Sequence, residues 1–431
     1  MNIQKTIENL QNCPCGREHK LGEMAVEIGP GLVCHTAEIL AANNFPRKLL
    51  VVADKNTLSA SGGILENLES GGFSYDLKLF DDLKVADIRD VNELTALCGG
   101  VGGVLSVGSG SLNDICRLAS FSAGRAFAIF AAAPSMDGFA SNSAPITFDN
   151  FKKSVVCHAP SIIIGDTEIL AKAPAELKSA GFGDMIAKYI AMADWKIARL
   201  TVGEYYCPRV AAVTVDALRR MVSMAELVTA NDPETAGAIM EALVMAGAAM
   251  TLAGCTRPAS GAEHVISHFW EIKKLERRQP SDFHGKKVGV ATLMTAKIYH
   301  DIANDTSIEF HKDLTDWDEV YRAYGKNFEG EVKAANSPTV TDETSPEILR
   351  ENWPEIRRII KEELPSYAEL LALMKTAGAA TTIEEIGVTP DLAEAGLRFH
   401  SYMRHRMTLM RLIPMLTKDF DYKKYITPPV L

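Results

Sequence analysis

A chain of 431 residues is longer than a chain that ordinarily folds around one hydrophobic core, so its length predicts two packed domains. Hydrophobic residues make up 47% and charged residues 23%, which is typical of a globular protein and excludes a disordered or fibrous chain. The 45 basic residues stand against 55 acidic ones, so the net charge is −10 and a nucleic-acid partner is disfavoured.

The first residues, MNIQKTIENLQNCPCG, lack a positively charged start followed by an apolar run. They do not resemble a secretory signal, and we expect a cytoplasmic protein. The weakly polar stretch from Ala238 to Cys255 carries Glu241 and many small residues. A buried helix explains this composition better than a membrane span, so no membrane span is predicted.

Most of the eight cysteines are scattered inside apolar runs, as reduced core residues are. Cys13, Cys15 and His19 are the exception, because they stand together in the segment NCPCGREH. Two thiols and an imidazole at this spacing are candidate metal ligands, but a clear fourth ligand is missing from the pattern. A local turn without a metal is the alternative.

Five short apolar runs between Met24 and Asp166 predict the strands of a parallel α/β sheet: MAVEIG, KLLVVAD, GGVLSVG, FAIFAAA and SIIIGD. From about Ile169 the pattern changes to long helical segments rich in Ala, Met and Leu. The sequence therefore predicts a nucleotide-binding α/β domain over residues 1–168 and an all-α domain over residues 169–431. We expect the active site in the cleft between them.

A glycine turn follows the third predicted strand, in the segment VGGVLSVGSGSLNDI. Gly108 and Gly110 leave backbone amides exposed where a helix begins, which is a favourable site for a pyrophosphate. Asn113 stands where the G-X-G-X-X-G pattern has its third glycine, so the motif alone is weak. A strand-to-helix turn that binds nothing is the alternative.

Two further polar positions follow predicted strands. Asp54 ends KLLVVAD and suits a contact to sugar hydroxyls, although it equally suits the cap of the next helix. The loop FAAAPSMDGFASNSA offers Ser135, Asp137 and Ser141 to a cofactor or substrate, and each of them is also a common turn former.

Acids and imidazoles concentrate in three segments of the second half: GFGDMIAKYIAMADW, SGAEHVISHFWE and SDFHGKKVGVAT. A catalytic divalent metal takes three protein ligands and keeps one position open. Asp184 offers the carboxylate, while His264 and His268 share a helical face and His284 follows in the third segment. Spacing alone does not decide which two histidines bind.

The motifs GSGSLND, APSMDGFAS, GFGDMIAK, GEYYC and RPASGAEHVISHFWE, followed by FHG, together resemble the glycerol-1-phosphate dehydrogenase family. That family belongs to the superfamily of dehydroquinate synthases and iron-containing alcohol dehydrogenases. The likeness runs from about Met24 to Gly285, and the CPCGREH start resembles the bacterial branch. It implies a Rossmann-like N-terminal domain followed by a helical C-terminal domain.

The resemblance also implies a role for individual residues. Asp184, His264 and His284 match the metal ligands, while Asp184 and His268 match residues that act on the substrate, with Asp137 beside it. The residues that match the cofactor contacts are Asp54, Gly110, Ser111, Leu112, Asn113, Asp114, Ala132, Ala133, Pro134, Ser135 and Ser141. One position departs from the family, which has Thr where this chain has Ala132, so one cofactor hydrogen bond is in doubt.

The activity that the resemblance implies is reduction of dihydroxyacetone phosphate to sn-glycerol 1-phosphate by NADH or NADPH, with zinc, nickel or iron as the metal. The small polyol phosphate needs cationic contacts, for which Lys153, Lys188 and Arg257 are candidates that equally suit surface charges. A homo-oligomer is the family expectation. Glycerol dehydrogenase, a dehydroquinate synthase-like lyase and a binding protein without turnover are the alternatives.

Overall fold

The computed structural model describes residue 10, residues 12–149 and residues 151–426. The chain forms two compact units. The first comprises Met1–Met185 and Arg209–Thr256, and the second comprises Ile186–Pro208 and Arg257–Leu431. The domains expected over residues 1–168 and 169–431 stay a prediction, and their outer ends at 1–9 and 427–431 lie outside the described residues.

The described residues of the first unit form eight strands: β1 Ala25–Gly29, β2 Lys48–Asp54, β3 Ser74–Phe80, β4 Gly103–Gly108, β5 Ala126–Ala131, β6 Ser143–Phe148, β7 Phe151–Val156 and β8 Ile162–Asp166. Six of them form a parallel sheet in the order β1-β8-β5-β4-β2-β3. Strands β2, β4, β5 and β8 are almost wholly buried, because helices cover both faces of a parallel sheet.

The helices of the first unit are α1 Thr36–Ala42, α2 Lys55–Ala60, α3 Ile64–Ser70, α4 Ile88–Leu97, α5 Gly110–Ser122, α6 Thr167–Lys172, α7 Ala175–Ile186, α9 Pro208–Val222 and α10 Pro233–Ala253. Those of the second unit are α8 Lys188–Val202, α11 Ala262–Glu276, α12 His284–Asn304, α13 Trp317–Tyr324, α14 Glu329–Ala335, α15 Pro346–Glu363, α16 Tyr367–Thr376, α17 Pro390–Phe399 and α18 Leu409–Leu416. Residues 167–426 contain helices, 3₁₀ turns and loops but no strand, which confirms the predicted fold class.

Strand β2 is the point where the order of the sheet reverses. The chain passes from β2 to its neighbour β3 at one edge and then returns to β4 on the other side of β2. Ala53 at the end of β2 pairs with Val107 near the end of β4, so the loops after both strands leave the same edge. In parallel α/β sheets ligands bind at such a reversal, beyond the carboxyl ends of the strands.

Three strands of the first unit were not predicted from the sequence. β3 lies at the edge of the sheet, where Asp76, Leu77 and Leu79 are exposed, and its charged residues interrupt the apolar ones, so it lacks a clean hydrophobic run. β6 and β7 form a separate antiparallel hairpin. Their side chains are mixed in polarity, which made the segment resemble a polar loop.

Helix α10 contains the long apolar stretch of the sequence. The Asp232 side chain accepts a hydrogen bond from the Thr235 amide at 2.7 Å and Pro233 occupies the first turn, while Gly254 ends the helix at φ 67°. Among the described residues, α10 alone is long and apolar enough to cross a membrane, but 83% of the relevant window is buried inside the structure. It packs on β1, β8 and α6, so it is a core helix of the first unit.

The loop after β5 is held closely between two helices of the first unit. A Cβ atom on Gly181 of α7 would lie 2.2 Å from the Pro134 carbonyl oxygen, and one on Gly247 of α10 would lie 2.4 Å from the Asp137 carbonyl oxygen. Only residues without a side chain allow these helix backbones to approach the loop so closely. The two glycines therefore determine where the loop Ala132–Asp137 lies.

We expect Gly181→Ala to lower the free energy of unfolding by about 1–3 kcal/mol, since the new methyl group collides with a backbone oxygen that cannot move aside easily. Gly330→Ala is the matched control, because Gly330 also lies in a helix but has open space around the added Cβ. That control should change stability by no more than about 1 kcal/mol, and in the stabilising direction. Urea unfolding measures both, and equal midpoints for the two variants would contradict this packing.

Candidate functional site

The loops after β4 and β5 are joined in the first unit. Ser109 precedes helix α5, and Gly110 begins the helix at φ 47°, a left-handed conformation that glycine adopts without strain. The Ser135 hydroxyl donates to the Ser109 hydroxyl at 3.1 Å. The glycine turn and the serine of the next loop therefore form one polar surface at the carboxyl edge of the sheet, with the amides of the first turn of α5 beside it.

Further side chains of the glycine turn are buried or bonded to neighbouring segments. The Asn113 side chain is fully buried and accepts a hydrogen bond from the Ser106 hydroxyl at 2.7 Å. Leu112 is buried as well, and Ser111 donates to the Lys84 carbonyl at 3.0 Å. Asn113 thus replaces the third glycine of the motif because it ties α5 to β4, and its backbone rather than its side chain faces the turn.

Asp54 caps a helix in the first unit. Its carboxylate accepts from the Thr57 amide at 2.8 Å, and the Thr57 hydroxyl accepts from the Asp54 amide in return. This cap fixes the carboxylate at the end of β2, next to the glycine turn after β4. Ser141 is also buried, and its hydroxyl accepts from the Ser143 amide at 3.1 Å.

The carboxylate of Asp184 is fully buried near the end of α7. One of its oxygens accepts a hydrogen bond from the Asp137 amide at 2.9 Å. The structure thus brings together two of the predicted substrate residues, and the bond fixes the orientation of the Asp184 carboxylate relative to the loop Ala132–Asp137.

In the second unit, His264 on α11 is oriented by the residue before it. Its Nδ1 lies 2.6 Å from a Glu263 carboxylate oxygen, which also accepts from the Gly261 amide at 2.8 Å. Because the carboxylate accepts, Nδ1 carries a proton, and in the neutral ring the lone pair is then on Nε2. A histidine whose other nitrogen donates to a carboxylate is typical of a metal ligand.

Three histidines of the second unit form a group. The ring centroids of His264 and His284 are 5.3 Å apart, and those of His268 and His284 are 5.5 Å apart with nearly parallel planes. His264 and His268 lie one turn apart on α11, and His284 begins α12. The structure therefore brings together all three imidazoles that the sequence offered.

His268 contacts an arginine that the sequence did not single out. One Arg404 nitrogen lies 3.1 Å from His268 Nδ1. A guanidinium only donates hydrogen bonds, so Nδ1 is the acceptor and the ring proton of neutral His268 is on Nε2. Burial lowers the pKa of Arg404, but a guanidinium keeps its charge in proteins. His264 and His268 therefore adopt opposite tautomers.

The start of α11 is attached to the buried carboxylate of Asp194 on α8. Asp194 accepts from the Ala262 amide at 2.8 Å, from the Tyr299 hydroxyl at 2.6 Å and from the Leu409 amide at 3.0 Å. Complete burial raises the pKa of Asp194 to about 6, while these donors favour its charged form. The bond to Ala262 places the first turn of α11, and hence the histidines that follow.

Among the candidate phosphate contacts, Arg257 is already engaged with protein groups. It forms a double ion pair with Glu204 and donates to the Met407 carbonyl at 2.9 Å. Lys188 donates to the Ala259 carbonyl at 3.1 Å and is fully buried, whereas Lys153 is exposed on β7. Arg404 is thus the cation beside the histidine group that sequence reasoning missed, since it lies 136 residues after His268 in a segment without a motif.

Comparisons with known proteins agree with this architecture. A family model described as iron-containing alcohol dehydrogenase matches residues 27–174. The solved structure of a glycerol dehydrogenase from Schizosaccharomyces pombe is similar to this chain with a TM-score of 0.62 at 16% identity, covering 94% of this chain and 87% of that one. The chain thus has the same fold as that glycerol dehydrogenase, the fold of the iron-containing alcohol dehydrogenases.

Two curated relatives, both named glycerol-1-phosphate dehydrogenase [NAD(P)+], define the family more narrowly. The relative from Geobacillus thermodenitrificans is 32% identical over 84% of this chain and 86% of its own length. The relative from Geobacillus stearothermophilus is 29% identical over 95% and 96%. The chain belongs to the glycerol-1-phosphate dehydrogenase family, which confirms the resemblance noted in the sequence.

The Asp194 contacts predict a specific loss of stability. Tyr299→Phe leaves the buried carboxylate with one donor fewer, so the free energy of unfolding should fall by about 1–3 kcal/mol. Tyr75→Phe is the control, because the Tyr75 hydroxyl donates only to the exposed Glu69. It should shift stability by less than about 0.5 kcal/mol. Equal thermal unfolding of the two variants would contradict the role of Asp194.

Proposed function

We propose that this chain reduces dihydroxyacetone phosphate to sn-glycerol 1-phosphate with NADH or NADPH, and catalyses the reverse reaction. The relatives named for this activity support the proposal. The choice of a phosphorylated substrate rests on the contact between Arg404 and His268, which lies beside the His264–His284 pair. A cation next to candidate metal ligands suits a ketone that bears a phosphate better than an uncharged triol.

We assign the metal ligands to Asp184, His264 and His284, as the resemblance implies. The donors present fit a divalent metal, since Glu263 contacts His264 Nδ1 and so puts the lone pair of the neutral ring on Nε2. When bound, the metal supplies Lewis acidity toward a carbonyl oxygen, and the reduced nicotinamide supplies a hydride. Two imidazoles and a carboxylate suit zinc, nickel and iron, and metal analysis of the purified protein identifies which is present.

His268 is assigned to the substrate rather than to the metal. Its Nδ1 accepts from Arg404, so it presents an Nε2–H donor. A neutral imidazole in this tautomer donates to a substrate oxygen, and it can pass a proton to an alkoxide as one forms. A metal ligand needs a lone pair at the coordinating nitrogen, and the Arg404 contact occupies the lone pair of Nδ1.

The reduced nicotinamide dinucleotide is assigned to the first unit, at the carboxyl edge of the sheet. The amides from Gly110 to Asp114 would hold the pyrophosphate, and the loop Ala132–Ser135 with Ser141 would contact the rest of the cofactor. Asp54 at the end of β2 suits a ribose hydroxyl and repels a 2′-phosphate, which favours NADH over NADPH. We further propose that the protein is cytoplasmic and forms a homo-oligomer. Light scattering during size-exclusion chromatography would measure the number of chains in the oligomer.

The ligand assignment predicts different results for two histidines on one helix. His264→Ala should abolish metal binding at the assigned catalytic site and lower kcat by at least about 100-fold, because several kcal/mol of charge stabilisation are lost. His268→Ala should lower kcat but leave the metal bound. His35→Ala, at an exposed histidine, is the control and should change neither. Elemental analysis and steady-state assays before and after chelation measure these effects, and metal loss in the His268 variant alone would reverse the assignment.

The role of Arg404 predicts an effect on one substrate only. Removing a charged hydrogen bond costs about 1.5–3 kcal/mol, so Arg404→Gln should raise KM for dihydroxyacetone phosphate roughly 10- to 150-fold. KM for unphosphorylated dihydroxyacetone should change much less, because that ketone has no phosphate to pair with Arg404. Arg398→Gln, which removes an exposed arginine paired with Glu319, is the matched control.

The same assay separates the alternative activities. Wild-type preference for dihydroxyacetone over its phosphate would favour glycerol dehydrogenase and overturn the substrate assignment. A lyase of the dehydroquinate synthase type uses NAD without net oxidation, so stoichiometric consumption of NADH during turnover argues against it. Equal rises in KM for both ketones in Arg404→Gln would show that Arg404 supports His268 and does not bind phosphate.

A further inference from the structure

The segment from Cys13 to His19 folds back on itself in the first unit. Gly16 follows Cys15 at φ 79°, a left-handed conformation, and a Cβ atom there would meet nothing within 4 Å. Glycine is therefore required for the direction of the chain and not for space. The turn brings the Cys15 sulfur to 3.2 Å from His19 Nε2.

His19 is held in the tautomer that a metal requires. Its Nδ1 lies 2.7 Å from the Leu252 carbonyl oxygen, and the imidazole is 8% exposed. A carbonyl oxygen only accepts, so Nδ1 carries a proton, and in the neutral ring the lone pair of Nε2 is directed toward Cys15. This is the arrangement by which backbone carbonyls orient metal-binding histidines.

Cys13 adds a second thiol to the pair. The candidate ligand atoms of Cys13, Cys15 and His19 all lie within 4.8 Å of one another. Tetrahedral zinc with Zn–S near 2.3 Å and Zn–N near 2.05 Å places its sulfur and nitrogen ligands roughly 3.5 Å apart and its sulfurs roughly 3.8 Å apart. The observed separations need only small adjustments to surround such an ion.

Other thiols of the first unit contrast with these two. Burial raises the pKa of Cys98 and Cys116, and it raises the pKa of Cys157 to about 11, so these thiols stay protonated in apolar surroundings. Cys13 and Cys15 are half-buried in a polar turn instead. These two thiols therefore stand beside an imidazole and outside an apolar core.

We propose that Cys13, Cys15 and His19 bind a structural divalent ion of the zinc class, separate from the metal assigned to the active site. The ion fastens this segment to the end of α10, since the Leu252 carbonyl lies in the last turn, where carbonyls lack a partner within the helix. A positive charge at that end is also favoured by the helix dipole. The site stabilises the first unit and takes no part in hydride transfer.

The test uses the full chain with the two histidines of the assigned catalytic metal replaced, His264→Ala with His284→Ala. This variant, prepared with cobalt(II), should retain about one ion per chain and show thiolate-to-cobalt charge-transfer absorption. Adding Cys13→Ser and Cys15→Ser should remove the absorption and lower bound metal at least about 10-fold. Adding Cys34→Ser instead, at an exposed cysteine outside the turn, should change neither.

Two results would overturn the proposal. One is the absence of thiolate absorption from both the wild-type protein and the double-histidine variant. The other is equal metal content in the Cys13/Cys15 and Cys34 variants. If the Cys13/Cys15 variant does not fold, the double-histidine variant alone tests the proposal: thiolate-to-cobalt absorption supports it, and the lack of that absorption overturns it. None of these measurements depends on enzymatic activity, so the proposal can fail while the proposed function stands, and the reverse also holds.

Discussion

The buried carboxylate of Asp194 is the constraint on which the second unit depends most. It lies on α8 and accepts hydrogen bonds from the first residue of α11, from Tyr299 of α12 and from the first residue of α18. A charge taken out of water is tolerated only when donors surround it. The requirement to satisfy Asp194 therefore sets the relative positions of four helices, two of which carry the histidine group.

Within that frame, the two histidines on α11 differ because their neighbours differ. Glu263 accepts from His264 and leaves a lone pair at Nε2, whereas Arg404 donates to His268 and leaves a proton at Nε2. Identical side chains one helical turn apart thus present opposite chemistry, a lone pair for a cation and a donor for an oxygen. The proposed division between metal ligand and substrate contact rests on these partners and not on the spacing.

Much of the fold could be predicted from the sequence, because buried parallel strands are continuous apolar runs and the later helices have a clear period. β3 and the β6–β7 hairpin could not, since partly exposed strands mix polar with apolar residues. The sequence motifs identified the candidate site residues, but they did not predict the residues that hydrogen-bond to them. Arg404 contacts His268 across 136 residues, and the bond between Asp137 and Asp184 joins distant segments, so no local pattern contains either.

The bond from the Asp137 amide to Asp184 also has a thermodynamic consequence. It connects the loop Ala132–Asp137 to a carboxylate, so any ligand that shifts the loop changes how strongly that carboxylate attracts a cation. Linkage requires that a cation bound by the carboxylate alter the affinity of the loop for its ligand by the same factor. A metal bound by Asp184 and a dinucleotide bound by the loop would therefore not bind independently. Saturating the protein with one would change the concentration of the other at which half of the sites are filled.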